Sequence, residues 1–189
     1  MTTLVFFLEE LSAQVFLESF LPGILPDGFD YQFIVFEGKS DLDKRLAFRL
    51  REWKKANCRF IVLRDQDSAN CKQVKTALLT KCIEGKHSET LVRIACHELE
   101  SWYLGDLQAV QKGLNIKRPA QLAGKAKYRN PDDIEYAAEE LKRITDGRYQ
   151  KVSGSREIGK FLSPEVNKSH SFQVFYNGLQ RLVRSDDVH

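Results

Sequence analysis

Four short, strongly apolar runs alternate with stretches of helical period within the first 96 residues, and that alternation restricts the fold more than any other feature of the chain. The runs are TLVFFL at 3–8, YQFIVF at 31–36, FIVLR at 60–64 and TLVRIAC at 90–96. A continuous apolar run suits a strand covered on both faces, which is the condition of a parallel sheet. The segments between them read as helices. One runs over 13–21, with Ser12 as its cap and Val15, Phe16, Phe20 and Leu21 on one side. A second, capped by Ser40, has Leu42, Leu46, Leu50 and Trp53 at helical spacing, and a third over about 69–83 uses Val74, Leu78 and Cys82. Repetition of this kind predicts an α/β fold with right-handed crossovers.

After residue 97 the pattern becomes helical. Helices are expected near 98–112, 131–145 (Asn130 as cap, Pro131 at the first helical position), 155–162 and 169–183. The segment 113–129 reads as a basic surface connection. The expected division is an α/β core over 1–112 and a helical C-terminal extension over 113–189 packed on that core. Hydrophobic residues make up 42% of the chain, enough for an ordinary core. No run approaches the roughly 18 apolar residues of a membrane span, so no membrane association is expected. LVFFL is short, lacks a basic flank and is followed at once by Glu9-Glu10, unlike a secretory signal. Cys58, Cys71, Cys82 and Cys96 form no C-x-x-C pair. Reduced cysteines in a cytoplasmic protein, without zinc, are the expectation.

The acids fall where a parallel sheet binds ligands, beyond the carboxyl ends of its strands. Glu9 and Glu10 follow the first run, Asp65 and Asp67 the third, and Glu98 and Glu100 the fourth. Any one such pair is ordinarily a solvated turn or a helix N-terminal charge. Three pairs meeting at one edge repel unless a cation neutralises them, and carboxylates without His or Cys partners suit Mg²⁺ or Mn²⁺. On a strand Glu98 and Glu100 would point the same way, whereas on a helix they would lie about 200° apart, leaving one ligand.

Several other motifs lead away from rival chemistries. EGKS at 37–40 imitates the end of a phosphate-binding loop, but Phe33 stands where that loop needs glycine. Gly38-Lys39-Ser40 is better read as a turn and cap, with Lys39 available to a nucleic-acid phosphate. His97-Glu98 is followed by Ser101 rather than the second histidine of a zinc protease. Trp102 and Tyr103 read as core rather than as base-stacking platforms.

A glutamate after the first strand and an Asp-x-Asp after the third resemble the TOPRIM domain of topoisomerases, primases and OLD-type nucleases. LEELSAQVFLESFLP is similar to that family's opening, with Glu9 in the glutamate position and Glu10 replacing glycine. VLRDQDS supplies the Asp-x-Asp, and ELESWYL resembles the Glu-x-Glu segment of OLD-like members, which favours Glu100 over Glu98. The nearest likeness is to a small bacterial TOPRIM-like group, often found beside ATPase genes, and extends through YQKVSGSREIGKFL and SHSFQVF. Ala13 stands where OLD nucleases usually carry a further acid. The resemblance implies a TOPRIM-like Rossmannoid, with a mainly parallel four-stranded sheet between helices. It also implies Mg²⁺- or Mn²⁺-dependent phosphodiester hydrolysis of DNA or RNA. In that reading Glu9 and Asp65 hold one ion, Asp67 and Glu100 a second, and Glu10 and Glu98 are further acids of the metal site. Lys151 lies near the scissile phosphate, while Lys39, Lys125, Lys127 and Arg156 hold the nucleic-acid backbone. Ser153-Gly154-Ser155 reads as a small turn ringed by Lys151, Arg156 and Lys160, and the solvated alternative for this basic stretch stays open. The implied role is the effector of an ATPase-linked anti-phage system, with an ABC- or AAA-type ATPase from another gene as partner. The alternative is a conditionally active or non-catalytic regulatory subunit of such a complex.

Overall fold

The structure, a computed structural model, describes residues 1–184. Four strands, β1 (Thr2–Leu8), β2 (Phe29–Val35), β3 (Cys58–Asp65) and β4 (Leu91–Ala95), form one sheet in the order β2-β1-β3-β4. Every pairing is parallel. The helices are α1 (Leu11–Phe20), α2 (Lys39–Arg51), α3 (Cys71–Glu84), α4 (Glu100–Leu104), α5 (Leu107–Gly113), α6 (Ala137–Ile144), α7 (Lys151–Gly159) and α8 (His170–Arg184). This is a Rossmann-like α/β architecture. Among the described residues, no helix is long and apolar enough to cross a membrane.

Strand alternation sorts the core into two layers. Leu4, Phe6, Leu8, Ile61 and Leu63 face α1 and the later helices, including Phe172, Phe175 and Leu179 of α8. Val5, Phe7, Phe60, Val62 and Val92 face Leu42, Leu46 and Leu50 of α2 and Leu78 of α3. The expected C-terminal extension thus shares one core with the strands; residues 185–189 of it lie outside the described residues. The chain leaves β1 toward β2 on one side and returns past it to β3 on the other. The β1/β3 junction is therefore the point where a doubly wound sheet opens its binding crevice.

Local chemistry moves several expected boundaries. α1 starts at Leu11 with Glu10 at its N-cap, and Ser12 Oγ donates to Glu10 Oε1 at 2.5 Å instead of capping. Lys39 rather than a residue after Ser40 opens α2, whose Gly38 cap has φ +90°. The expected helix 98–112 breaks at Gly105, where a Cβ would meet Asn167, and restarts when Asp106 accepts from Ala109 N at 3.0 Å. Residues 131–145 divide into a 3₁₀ turn at Pro131–Asp133 and the later α6. Asp132 is drawn to the other end of the fold, accepting from Ser169 Oγ and Ser171 N, both at 2.6 Å. Ser171 Oγ accepts from Trp102 Nε1 at 2.8 Å, so the SHSF stretch is a clasp that seats α8 against the buried tryptophan. The basic connection 113–129 contains two 3₁₀ turns, at Pro119–Leu122 and Ala126–Tyr128. Ser153-Gly154-Ser155 is not a turn but the middle of α7. Small residues are needed there, because a Cβ on Gly154 would lie 2.5 Å from Tyr149 Cδ2 and one on Gly159 would lie 2.9 Å from Phe16 O.

Candidate active site

Beyond the β1/β3 junction the chain gathers its acids. In the β1–β3 register Leu8 is level with Leu63, which carries β3 two residues further and sets Asp65 beside the Glu9-Glu10 turn. Glu9 Oε2 accepts from Asp65 N at 3.3 Å. The loops after β3 and β4 are tied together, Gln66 N donating to Ala95 O at 2.9 Å and Asp67 N to His97 O at 2.8 Å. Asp67 and His97 both adopt left-handed backbone, at φ +55° and +56°, in residue types that tolerate it. That twist turns the Asp67 side chain away from the Asp65 neighbourhood and toward Lys39, whose Nζ lies 2.7 Å from Asp67 Oδ2.

The acids form two neighbourhoods. Asp65 is half-buried at the edge, and burial, followed by Glu100, Glu10 and Glu9, pushes its carboxyl well above the ordinary range. Glu100 is almost fully buried; its Oε1 accepts from Tyr149 Oη at 2.8 Å, while its Oε2 has no hydrogen-bond partner. Burial also raises the Glu100 carboxyl, opposed by Lys151 and the Tyr149 hydroxyl. Lys151 Nζ meets Glu10 Oε1 at 2.7 Å. Burial alone would lower this ammonium, but Glu10, Glu100 and Asp65 together raise it. In the second neighbourhood Glu9 is raised by burial and by Asp67, while Arg64 draws it down. Arg64 Nε stands 3.8 Å from Glu9 Oε2, and its Nη1 donates to Asp43 at 3.0 and 3.1 Å. The strongest repulsions are between Asp65 and Glu100 and between Glu9 and Asp67, while Glu9 also reaches the Asp65 backbone.

Glu98 has another occupation. Its Oε2 accepts from Ala138 N at 2.7 Å, at the start of α6. Lys39 and Lys151 are at the acidic edge, as expected. Lys127 is not: its Nζ pairs with Glu140 Oε2 at 2.8 Å, in a separate cluster with Tyr128 and Arg143. Lys125 and Arg156 are exposed and, among the described residues, make no ion pair with the site's carboxylates.

Three participants were not legible as such. Tyr149 is fully buried beneath Glu100, with its ring against Gly154. The Tyr103 hydroxyl is fully buried beside Glu100 and Asp65 without a hydrogen-bond partner, since the nearby Ser155 Oγ is directed to Lys151 O at 2.5 Å. Arg64 had a signal in the sequence, a cation inside an apolar strand directly before Asp65.

An orphaned carboxylate oxygen and an orphaned hydroxyl, both buried among like charges, are costly in a folded protein unless something completes them. The donor set, oxygen atoms alone, suits a hard divalent cation, and Asp65, Glu100 and Glu10 with Glu9 are the residues that fit it. Among the described residues, no three His, Cys, Asp or Glu side chains converge closely enough to grip an ion as they stand. Lys39, Arg64 and Lys151 hold several of the carboxylates instead.

A family model described as a domain of unknown function, DUF4276, matches residues 8–180. No curated protein and no solved structure matches the chain.

Proposed function

We propose that this chain, which belongs to the DUF4276 family, is a divalent-metal-dependent phosphodiesterase acting on nucleic acid. The observation that carries the reading is Glu100 Oε2, buried without a partner beside Asp65 at the sheet's switch point. Asp65, Glu100 and Glu10 would hold Mg²⁺ or Mn²⁺, which would supply positive charge for the phosphoryl oxygens and activate a water for attack. The protein's own groups do the rest. Tyr149 fixes the rotamer of Glu100, and Arg64 anchors Glu9. Lys151 sits between Glu10 and the buried acids, where its ammonium meets charge developing on a phosphoryl group. The Tyr103 hydroxyl is a free donor at the same place. The likeness to TOPRIM nucleases points the same way.

The ion pairs favour a conditional form of this activity. Lys151 on Glu10 and Lys39 on Asp67 neutralise carboxylates that a metal would otherwise use. Both pairs are half-exposed, so each is weak and opens at small cost. An effector held quiet until a partner ATPase or the nucleic acid draws the lysines away fits that arrangement.

The test is metal-dependent melting. Mn²⁺ should raise the melting temperature of the wild type by mass action on the folded state. Glu100→Gln and Asp65→Asn should abolish the rise and, with it, cleavage of a mixed DNA and RNA panel. Wild-type melting that ignores both Mn²⁺ and Mg²⁺ would refute the metal site.

A further inference from the structure

The whole chain carries a net charge of only +3, yet residues 39–86 hold thirteen Lys and Arg against six Asp and Glu. The remainder of the protein is therefore net acidic. This segment contains α2, β3 and α3, and the two helices cover a single face of the sheet. Two of the six acids, Asp65 and Asp67, belong to the site at the strand ends. Arg59 and Arg64 of β3 are half-buried or buried, and most of the other cations lie exposed on or beside these two helices.

Lys44, Arg45, Arg49, Lys54 and Lys72 are exposed there. Among the described residues, only Arg45 of these enters an ion pair, with Asp41 at 3.4 Å. Leaving so many cations unpaired on adjoining helices costs self-repulsion, which a polyanion would relieve. The apolar content of the face is slight: Phe48 is 59% and Ile83 63% exposed, each among polar neighbours. A protein interface core is normally depleted of lysine and built on buried aromatic anchors, which this face does not provide. A phosphate backbone asks for something different, namely spaced cations without apolar cover.

The placement also connects to the acidic edge. α2 has 13 residues, roughly 20 Å of helix at 1.5 Å per residue. Its first residue is Lys39, the cation on Asp67. The helix that carries Lys44, Arg45 and Arg49 therefore starts at the site, with Lys39 on the stripe of its buried leucines and the other cations off that stripe.

We propose that the outer face of α2 and α3 binds the phosphate backbone of the nucleic acid and delivers it to the acidic edge, in place of Lys125, Lys127 and Arg156. This rests on the phosphodiesterase reading above, and it assigns that reading's substrate-binding surface.

The experiment is salt-dependent binding of a fluorescent DNA duplex, measured by anisotropy in EDTA so that metal and catalysis play no part. Lys44→Ala/Arg49→Ala/Lys72→Ala changes only exposed side chains, and its melting temperature serves as the folding control. The slope of log K against log salt should flatten by about 0.9 per lost phosphate contact, so by roughly 2 to 3 for the triple variant. Lys125→Ala/Lys127→Ala/Arg156→Ala should keep the wild-type slope. A parallel titration with poly-L-glutamate should show much weaker binding. An unchanged slope in the first triple, or the loss appearing in the second, overturns the assignment. Equal binding of polyglutamate would transfer the face to acidic polypeptides. Wild type that binds no duplex in EDTA but still melts higher with Mn²⁺ refutes this surface and leaves the metal site standing.

Discussion

Tyr149→Phe removes a single oxygen and keeps the ring, which Gly154 confines from one side. The lost hydroxyl donates to Glu100 Oε1 at 2.8 Å, with Tyr149 fully buried and Glu100 1% exposed. Glu100 Oε2 is already without a partner, so the variant also takes away the hydroxyl bond that Oε1 accepts. A hydrogen bond to a charged group contributes about 1.5–3 kcal/mol. At about 2 kcal/mol, and 2–4 °C per kcal/mol for a chain of this size, the melting temperature should fall by roughly 4–8 °C in metal-free buffer near pH 8. The cycle with Glu100→Gln isolates the charge. An amide in place of Glu100 still accepts from Tyr149, but as a neutral group, so Tyr149→Phe should cost only about 1 kcal/mol in that background. The assay is thermal melting of the four proteins by circular dichroism. Equal losses in both backgrounds, or a Phe variant that melts with the wild type, would refute the placement of an ionised Glu100 beneath the site.

Two further outcomes follow from the same geometry. Glu9, Asp65 and Glu100 have folded carboxyls raised above their ordinary values, chiefly by burial. Stability from such groups is complete below the unfolded values near 4 and is lost as pH rises through the raised folded values. Metal-free protein should therefore melt higher at about pH 5 than at about pH 8, and Asp65→Asn should flatten the dependence; a flat wild-type profile would contradict it. Glu140, held down to about 2 chiefly by Arg143, stays ionised across that window and does not shape it. Gly154→Ala should destabilise, despite a helix-propensity gain of up to ~1 kcal/mol, because its Cβ would lie 2.5 Å from Tyr149 Cδ2. Gly124→Ala, with open space around it, is the matched control for urea melts.

The strands and the first three helices were legible because their apolar period is set by the sheet itself. Leu42, Leu46 and Leu50 fall on one face of α2, and every one is fully buried. The carboxyl-end acids were legible for the same reason, since position along a parallel strand fixes which edge a following residue reaches. The later helices were harder to bound. Their ends are set by long-range bonds, such as Asp132 to Ser169 and Glu98 to Ala138, rather than by local periodicity. Ser153-Gly154-Ser155 looks like a turn by composition, but Gly154 answers the bulk of Tyr149, and Gly159 of the same helix answers α1. The role of Tyr149 has no local signal at all, because its partner lies 49 residues earlier. The basic face escaped notice because overall charge balance hid a strong asymmetry between segments.

The pairing of Lys151 with Glu10 has a consequence for the order of assembly. Glu10 precedes the other residues of the site in the chain, and the later strands follow by residue 95, each pairing with a strand already made. The counter-charge and the tyrosine that complete this edge come from α7 and the residues just before it, more than fifty positions after the last strand. Until α7 docks, Glu10 lacks Lys151 and Glu100 lacks the Tyr149 hydroxyl. Docking of α7 on α1 joins segments far apart in the chain, at the long loop-closure distance that slows folding. The acidic edge is therefore completed only when a late helix has docked on an early one.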